Sequence, residues 1–275
     1  MVLPRVIQAP MAENQPASLA AAVSNAGGLG TIPGGTISAE ELRVAIREVR
    51  SLTDAPFAVN LFAPPYLNED ALAVVLAERP AVFSFTMGIV GPGPLREAGI
   101  TVLGTATSTE EAHALADAGV DFVIAQGAEA GGHRGSFLDG FPLVPLRELV
   151  AGIDFIPVVA AGGVTTRDDV RELLALGAVA VQVGTAFLFT RECGRPREHL
   201  EALRGHETVV TDAYTGRPAR AARDAVLEQL MQREPLPFPR QRAESAKLGP
   251  LFMGGTGARR ARERSVAELV AELSA

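Results

Sequence analysis

Short apolar runs alternate along the chain with amphipathic stretches rich in Ala, Leu and Glu. Eight of these runs are continuously apolar, which is typical of parallel strands buried on both faces. The predicted strands cover residues 6–9, 29–32, 57–61, 82–85, 101–103, 122–125, 156–160 and 180–183. Eight strands with helical stretches between most of them, within about 190 residues, predict an α/β fold of the (β/α)8 TIM-barrel type.

The amphipathic stretches carry signals for helix starts and stops. Three pairs fit the capping-box spacing: Ser38 with Glu41, Ser108 with Glu111, and Thr166 with Asp169. Glycines that suit a left-handed helix end stand at positions 27, 99, 119 and 177. An open doubly wound sheet is the alternative, and it usually begins with a Gly-x-Gly-x-x-Gly turn. The first strand here runs instead into Ala9-Pro10-Met11-Ala12, which favours the barrel.

The pattern changes after the last predicted strand. Residues 206–250 are polar and rich in proline, and they contain too few apolar residues to form a core of their own. We therefore predict one domain over residues 1–275, with a barrel at about 5–200. A helical excursion at about 206–250 covers one end of it, and a C-terminal helix spans about 258–275. The arginines at positions 259, 260, 262 and 264 are predicted to form a solvated helical face.

Composition narrows the class of protein. The net charge of −7 and the absence of tryptophan disfavour a nucleic-acid surface. The single cysteine, Cys193, excludes an intrachain disulfide framework, and the four histidines lack the spacing of metal ligands, so no metal site is expected. The sequence shows neither a signal peptide nor an apolar run long enough to span a membrane, so we expect a cytoplasmic protein without membrane contact.

The candidate chemistry begins in residues 125–135, which read AQGAEAGGHRG after a buried strand. Gly131 and Gly132 leave the backbone accessible, and His133 is the side chain there that titrates near neutral pH. A histidine at the carboxyl end of a barrel strand suits proton transfer. The alternative is a surface loop in which the histidine is solvated.

Two further glycine-rich loops follow the seventh and eighth strands, where barrels often bind phosphate. They contain Ala161, Gly162 and Gly163 in the first loop, and Val183, Gly184 and Thr185 in the second. Tight turns without a ligand are the alternative. Uncharged amides at strand ends, namely Asn60, Gln126 and Gln182, would suit a heterocycle with both donors and acceptors.

Taken together, these stretches resemble the nitronate monooxygenase family, also called 2-nitropropane dioxygenase-like proteins, which are FMN-bound barrels. The resemblance covers residues 6–12 (VIQAPMA), 20–30 (AAAVSNAGGLG), 57–62 (FAVNLF), 125–135, 160–163 (AAGG), 181–187 (VQVGTAF) and 216–220 (GRPAR). It implies a flavin oxidoreductase that oxidises alkyl nitronates or nitroalkanes with O2 to a carbonyl compound and nitrite. A homodimer is left open.

The resemblance also implies roles for matching residues. His133 would be the catalytic base. FMN would be held by Pro10, Met11, Asn60, Gln126, Gly131, Gly132, Ala161, Gly162, Gly163, Gln182, Val183, Gly184 and Thr185.

Three departures from the family pattern concern the substrate more than the flavin. The segment at residues 63–79 is short, Glu13-Asn14 follows Pro-Met-Ala where glycine is frequent, and residues 251–255 replace a stretch that often contains tryptophan. Flavin-dependent enoyl-ACP reductases, which use NAD(P)H, resemble the same core around residues 129–133. That activity and a non-catalytic flavin-binding barrel are the alternatives.

Overall fold

The computed structural model describes residues 2–12, 15–138 and 140–275, so the Glu13-Asn14 departure lies outside the described residues. Its strands are β1 Val6–Gln8, β2 Gly30–Pro33, β3 Phe57–Phe62, β4 Val82–Thr86, β5 Thr101–Ala106, β6 Phe122–Gln126, β7 Gly132–His133, β8 Val158–Ala161, β9 Ala180–Val183, β10 Thr208–Thr211 and β11 Ala219–Ala222. The α-helices are α1 Ala17–Asn25, α2 Ala39–Leu52, α3 Glu69–Glu78, α4 Gly93–Glu97, α5 Thr109–Ala118, α6 Leu146–Ala151, α7 Arg167–Ala175, α8 Thr185–Leu188, α9 Arg197–Gly205, α10 Ala225–Leu230, α11 Arg240–Ala246 and α12 Val266–Ser274. Two 3-10 helices cover Arg191–Cys193 and Thr256–Arg260. No helix in these described ranges has the length and apolar character needed to cross a membrane.

Eight parallel strands form the barrel wall in the order β1-β9-β8-β6-β5-β4-β3-β2. A single parallel bridge between Ile7 and Leu29 joins the two end strands, so the sheet closes on itself. The predicted barrel is confirmed, and the open doubly wound sheet is not what forms.

The seam between β1 and β2 is reinforced by side chains. Gln8 is fully buried; its Nε2 donates to Gln15 Oε1 (2.6 Å), and its Oε1 accepts from the Thr31 N–H (3.0 Å). Gln15 Nε2 donates to the Thr31 carbonyl (2.9 Å), and Gln15 Oε1 also accepts from the Met11 N–H (2.9 Å). This network fixes the backbone just beyond β1, which borders the site.

Strand alternation divides the core into two layers. In β3, Phe57, Val59 and Leu61 pack outward against the helices, whereas Ala58 faces the barrel interior with Ile124 and Val159. The same alternation applies to β6, β8 and β9. Near the carboxyl ends of the strands, the residues at the inward-facing alternate positions therefore point into the barrel mouth.

The segment after the barrel, residues 206–250, was predicted as a helical excursion and contains helices α10 and α11, but it begins with a β-hairpin that the sequence analysis did not predict. β10 and β11 pair antiparallel, and β11 also pairs with β7 through Ala219 opposite His133 and Arg220 opposite Gly132. This cover (residues 206–250) is thereby joined to the histidine loop by a three-stranded sheet.

The arginines near the C-terminus do not form one helical face, so that prediction is wrong. The C-terminal helix α12 begins only at Val266, after all four of them, with Ser265 and Glu268 forming its capping box. Arg260 lies in a 3-10 helix and makes contacts to Asp169 and to the Gly163 carbonyl.

Candidate active site

A cavity of about 710 Å³ opens at the carboxyl ends of the barrel strands. Every predicted site residue lines it: Pro10, Met11, Asn60, Gln126, Gly131, Gly132, His133, Ala161, Gly162, Gly163, Gln182, Val183, Gly184 and Thr185. The cover contributes Arg242, Ala246, Gly249 and Pro250 to the lining, and residues 251–254, which follow the cover, line the cavity as well. The structure thus brings the predicted residues together, while their roles toward a ligand stay predictions.

Asn60, Gln126 and Gln182 reach the cavity because they occupy the alternate strand positions whose side chains face the barrel interior. Asn60 Nδ2 donates to Ser84 Oγ (2.9 Å), which fixes the plane of that amide. The Gln182 side chain makes no hydrogen bond to any described residue, so its donor and acceptor are available to a ligand. Gln126 is different, since both ends of its amide are used within the histidine loop.

The turn after β8 has a backbone that favours glycine. Gly162 and Gly163 adopt φ values of 134° and 69°, and a Cβ at Gly162 would lie 3.0 Å from the Ala130 nitrogen. Arg260 braces this turn from outside: its Nη2 donates to the Gly163 carbonyl (2.8 Å), and its Nη1 pairs with the Asp169 carboxylate (2.9 Å). The Asp169 carboxylate also accepts from the Thr165 N–H (2.9 Å) and completes the predicted capping box with Thr166.

The loop after β9 meets the glycine-rich residues that follow the cover. Thr185 Oγ1 accepts from the Gly255 N–H (2.8 Å). A Cβ on Gly131 would lie 2.4 Å from the Gly255 nitrogen, so the two backbones touch there. Residues 251–254, from the stretch that departs from the family pattern, therefore form part of the cavity wall.

The histidine loop, residues 126–145, is tied to its own strand. Gln126 Nε2 donates to the His133 carbonyl (3.0 Å), while Gln126 Oε1 accepts from the Gly135 N–H (2.8 Å). The amide of Gln126 thus sets the position of the loop. Met87, at a positive φ of 68° that is unusual for a residue other than glycine, also donates its N–H to the Gly135 carbonyl (3.1 Å).

A buried arginine also fixes the histidine loop. Arg134 is fully buried; its Nη1 donates to the Gly127 carbonyl (2.6 Å), and its Nη2 donates to the carbonyls of Gln126 (3.0 Å) and Pro142 (3.2 Å). Burial and the charge of Arg220 lower the pKa of Arg134 to about 10, which leaves it a cation at neutral pH.

Glu111 makes a different contact from the one predicted for it. Ser108 caps α5 by accepting from the Glu111 N–H (3.3 Å), but the Glu111 carboxylate accepts from the N–H groups of Thr107 (2.6 Å) and Phe137 (2.5 Å) instead of closing a capping box. A helix-cap carboxylate is thereby used to fix the histidine loop.

His133 lies where the loop meets the cover. Its Nε2 is 3.0 Å from Thr215 Oγ1, and its ring packs edge-on against Phe238 with centroids 5.4 Å apart. Burial, together with the positive charges of Arg217 and Arg242, lowers the pKa of His133 from 6.5 to about 4. The expectation that His133 titrates near neutral pH is therefore wrong, because desolvation and two cations favour the neutral ring.

Sequence reasoning missed the residues that the cover supplies. Thr215, Arg217, Arg220 and Phe238 all lie more than 80 residues beyond His133 along the chain. The stretch at residues 216–220 signalled this region through its resemblance alone. Arg260 was assigned to solvent because arginine is mostly exposed in proteins.

The fold and the cavity together define an enzyme of the (β/α)8 barrel class, with its site at the carboxyl ends of the strands. The sequence model of the family "Nitronate monooxygenase" matches residues 1–74 and 68–275, and the chain belongs to that family.

Individual relatives agree with this assignment. A nitronate monooxygenase from Pseudomonas aeruginosa is 38% identical over 331 aligned positions that cover 98% of this chain and 94% of the relative. The solved structure of nitroalkane oxidase from Streptomyces ansochromogenes has a TM-score of 0.92 at 34% identity, covering 99% of this chain and 95% of that one. FabK from Thermotoga maritima has a TM-score of 0.85 at 30% identity, covering 99% and 92%.

The family match also locates the short segment. The two matched parts meet at residues 68–74, between β3 and β4, and the alignment with the P. aeruginosa relative holds more positions than this chain has residues. Both findings agree with a β3–β4 connection shorter than that of the family. In this chain Tyr66, which lies in that connection, packs against Phe238 of the cover, with ring centroids 4.9 Å apart.

Proposed function

We propose that this protein uses FMN and O2 to oxidise alkyl nitronates, the anionic forms of nitroalkanes, to a carbonyl compound and nitrite. Nitronate monooxygenases are flavin-dependent, and this chain belongs to that family. The observation that carries the choice of an anionic substrate is the environment of His133. Its ring is neutral at physiological pH and lies in the positive field of Arg217 and Arg242.

The cavity suits FMN. Its volume lies within the range of about 300–1,000 Å³ that is usual for small-molecule sites. The turn at Gly162 and Gly163 and the loop at Gly184 and Thr185 offer backbone without bulky side chains for the phosphate. The unpartnered amide of Gln182 offers a donor and an acceptor for the ring system, and the Asn60 amide also lines the cavity.

When bound, FMN supplies the redox chemistry, in which two electrons leave the substrate and pass to O2. The protein binds the substrate and excludes water. His133 would face the substrate as a neutral group, and the charges of Arg217 and Arg242 favour an anion beside it. A base whose pKa is about 4 removes a proton from a neutral nitroalkane less readily than a base whose pKa lies near 7. A substrate that has already lost its proton avoids this step.

NAD(P)H-dependent enoyl reduction is the second candidate, and the similarity to FabK favours it. The electron donor discriminates between the two activities. A nitronate oxidase takes electrons from the nitronate, whereas an enoyl reductase takes them from a nicotinamide.

Anaerobic flavin reduction tests the proposal. The purified protein is expected to release FMN on denaturation. Before denaturation, its flavin absorbance should bleach on mixing with the anion of 2-nitropropane and stay unchanged with NADH or NADPH. Bleaching by NAD(P)H alone would favour the reductase, and a protein that contains no flavin and takes none up would contradict both. With the nitronate, the reduction rate should be flat between about pH 6 and 8, because His133 titrates at about 4.

A further inference from the structure

The two ring nitrogens of His133 have different surroundings. Nε2 lies 3.0 Å from the hydroxyl oxygen of Thr215, a fully buried residue of the cover. Nδ1 has no hydrogen-bond partner among the described residues, and the ring lines the cavity. A neutral imidazole carries one proton, so its surroundings decide which nitrogen keeps it.

The Thr215 hydroxyl settles the direction of its contact with the ring. This hydroxyl has a single proton, and its oxygen also lies 3.0 Å from the Arg217 carbonyl, which can only accept. The Thr215 proton is therefore donated to Arg217. The oxygen is then left to accept from His133, which requires a proton on Nε2.

We propose that Thr215 is a positioning residue that keeps neutral His133 in the Nε2–H form and leaves the Nδ1 lone pair facing the substrate cavity. The backbone of His133 is fixed independently, because Gln126 donates to its carbonyl and β11 pairs with it. The effect of Thr215 is therefore on the imidazole ring and its proton, not on the backbone of His133. That Nδ1 acts on a substrate rests on the proposed function; the position of the proton does not.

The test of the proton position is spectroscopic. The chain has four histidines, so long-range 1H–15N correlation spectra of the holoenzyme labelled with 15N-histidine resolve few ring systems. Comparison with His133→Asn assigns the signals of His133. The wild-type protein is expected to show the Nε2–H pattern, and an Nδ1–H pattern would overturn the proposal whether or not nitronate is a substrate.

Variants separate positioning from packing. Thr215→Val keeps the shape but removes the acceptor, and it should shift the His133 signals away from a pure Nε2–H pattern. Its kcat on neutral nitroalkane should fall roughly tenfold with flavin content unchanged. Thr215→Ser keeps the hydroxyl and should restore both readouts. Thr211→Val, in β10 of the same cover, removes a hydroxyl that accepts from the Ala213 N–H and should leave the His133 signals as in wild type. An unchanged His133 spectrum in Thr215→Val, or no rescue by serine, would contradict the assignment.

Discussion

The two sides of the cavity are built by different means. On the glycine side, residues 161–165 and 183–185, the wall is backbone, shaped by positive φ values and by the absence of side chains. On the histidine side, residues 126–145, the backbone is held by side chains from elsewhere in the chain. These include Glu111, Arg217 and Arg220, together with the loop's own Arg134.

This difference indicates which kind of substitution each side tolerates. A wall made of backbone is disturbed when a substitution adds atoms, since a new Cβ would clash with the neighbouring atoms. A loop held by buried hydrogen bonds is disturbed by removing atoms, because each lost donor leaves a buried carbonyl unpaired. The substitutions below separate the two cases.

The largest effect is expected on the histidine side. His133→Asn should lower kcat/KM on neutral nitroalkane about 10²–10⁴-fold while flavin remains bound, because the asparagine side chain cannot act as a base. The loss on the nitronate should be much smaller, since that substrate needs no proton removal. Steady-state kinetics with both forms measures the difference, and His113→Asn, outside the barrel mouth, is the control. Equal losses on both forms would mean that His133 only packs the loop.

Arg134→Met should destabilise the fold by roughly 2–4 kcal/mol, since three buried carbonyls lose their donor. Urea unfolding followed by circular dichroism measures this change. Arg259→Met, at an exposed position of the 3-10 helix, should unfold like wild type. If the Arg134 variant matched that control, the guanidinium would not be what holds the loop.

On the glycine side, Gly163→Ala should weaken FMN binding about tenfold, because the added Cβ lies 3.1 Å from Glu129 Cβ in a backbone of φ 69°. Gly177→Ala is a matched control: Gly177 also has a positive φ, of 108°, but no atom lies within 4 Å of its Cβ position and it does not line the cavity. Fluorescence titration of the flavin-free proteins gives the two dissociation constants. Similar losses of affinity would attribute the effect to backbone strain alone.

The smallest effect is expected where the glycine side does depend on a side chain. Arg260→Gln should raise the FMN dissociation constant about two- to fivefold, since Arg260 is half exposed and exposed ion pairs contribute about 1 kcal/mol or less. The activity of the fully loaded enzyme should stay unchanged. Arg259→Gln provides the comparison. An equal change of the FMN dissociation constant in both variants would show that Arg260 does not stabilise the turn.

The glycine side was largely predictable from sequence because its determinants are local. Gly162, Gly163 and Gly184 follow apolar runs directly, and a barrel places the ends of those runs together. All eight predicted strands form, and their bounds differ from the prediction by at most three residues. The largest differences are that β5 extends to Ala106 rather than residue 103 and that β8 begins at Val158 rather than at residue 156. Asn60 and Gln182 follow from the same alternation that buries their neighbours.

On the histidine side the sequence predicted the cavity residues Gln126, Gly131, Gly132 and His133, but not the side chains that hold them. Arg134 is fully buried, against the usual behaviour of arginine, and nothing adjacent in sequence marks it. β11 reads Ala-Arg-Ala-Ala, which has no strand pattern, and it forms because β7 and β10 supply partners. Contacts made over more than 80 residues leave no periodic signal, so the low pKa of His133 could not be anticipated.

The pairing of β7 with β11 has a consequence for movement of the cover. The cover cannot separate from the histidine loop without breaking a sheet, because its strand β11 is the hydrogen-bond partner of β7, the strand that carries His133. Any opening wide enough to separate β11 from β7 would also part His133 from Thr215 and Phe238. Displacement of the cover from the histidine loop would therefore also dismantle the surroundings of the histidine ring.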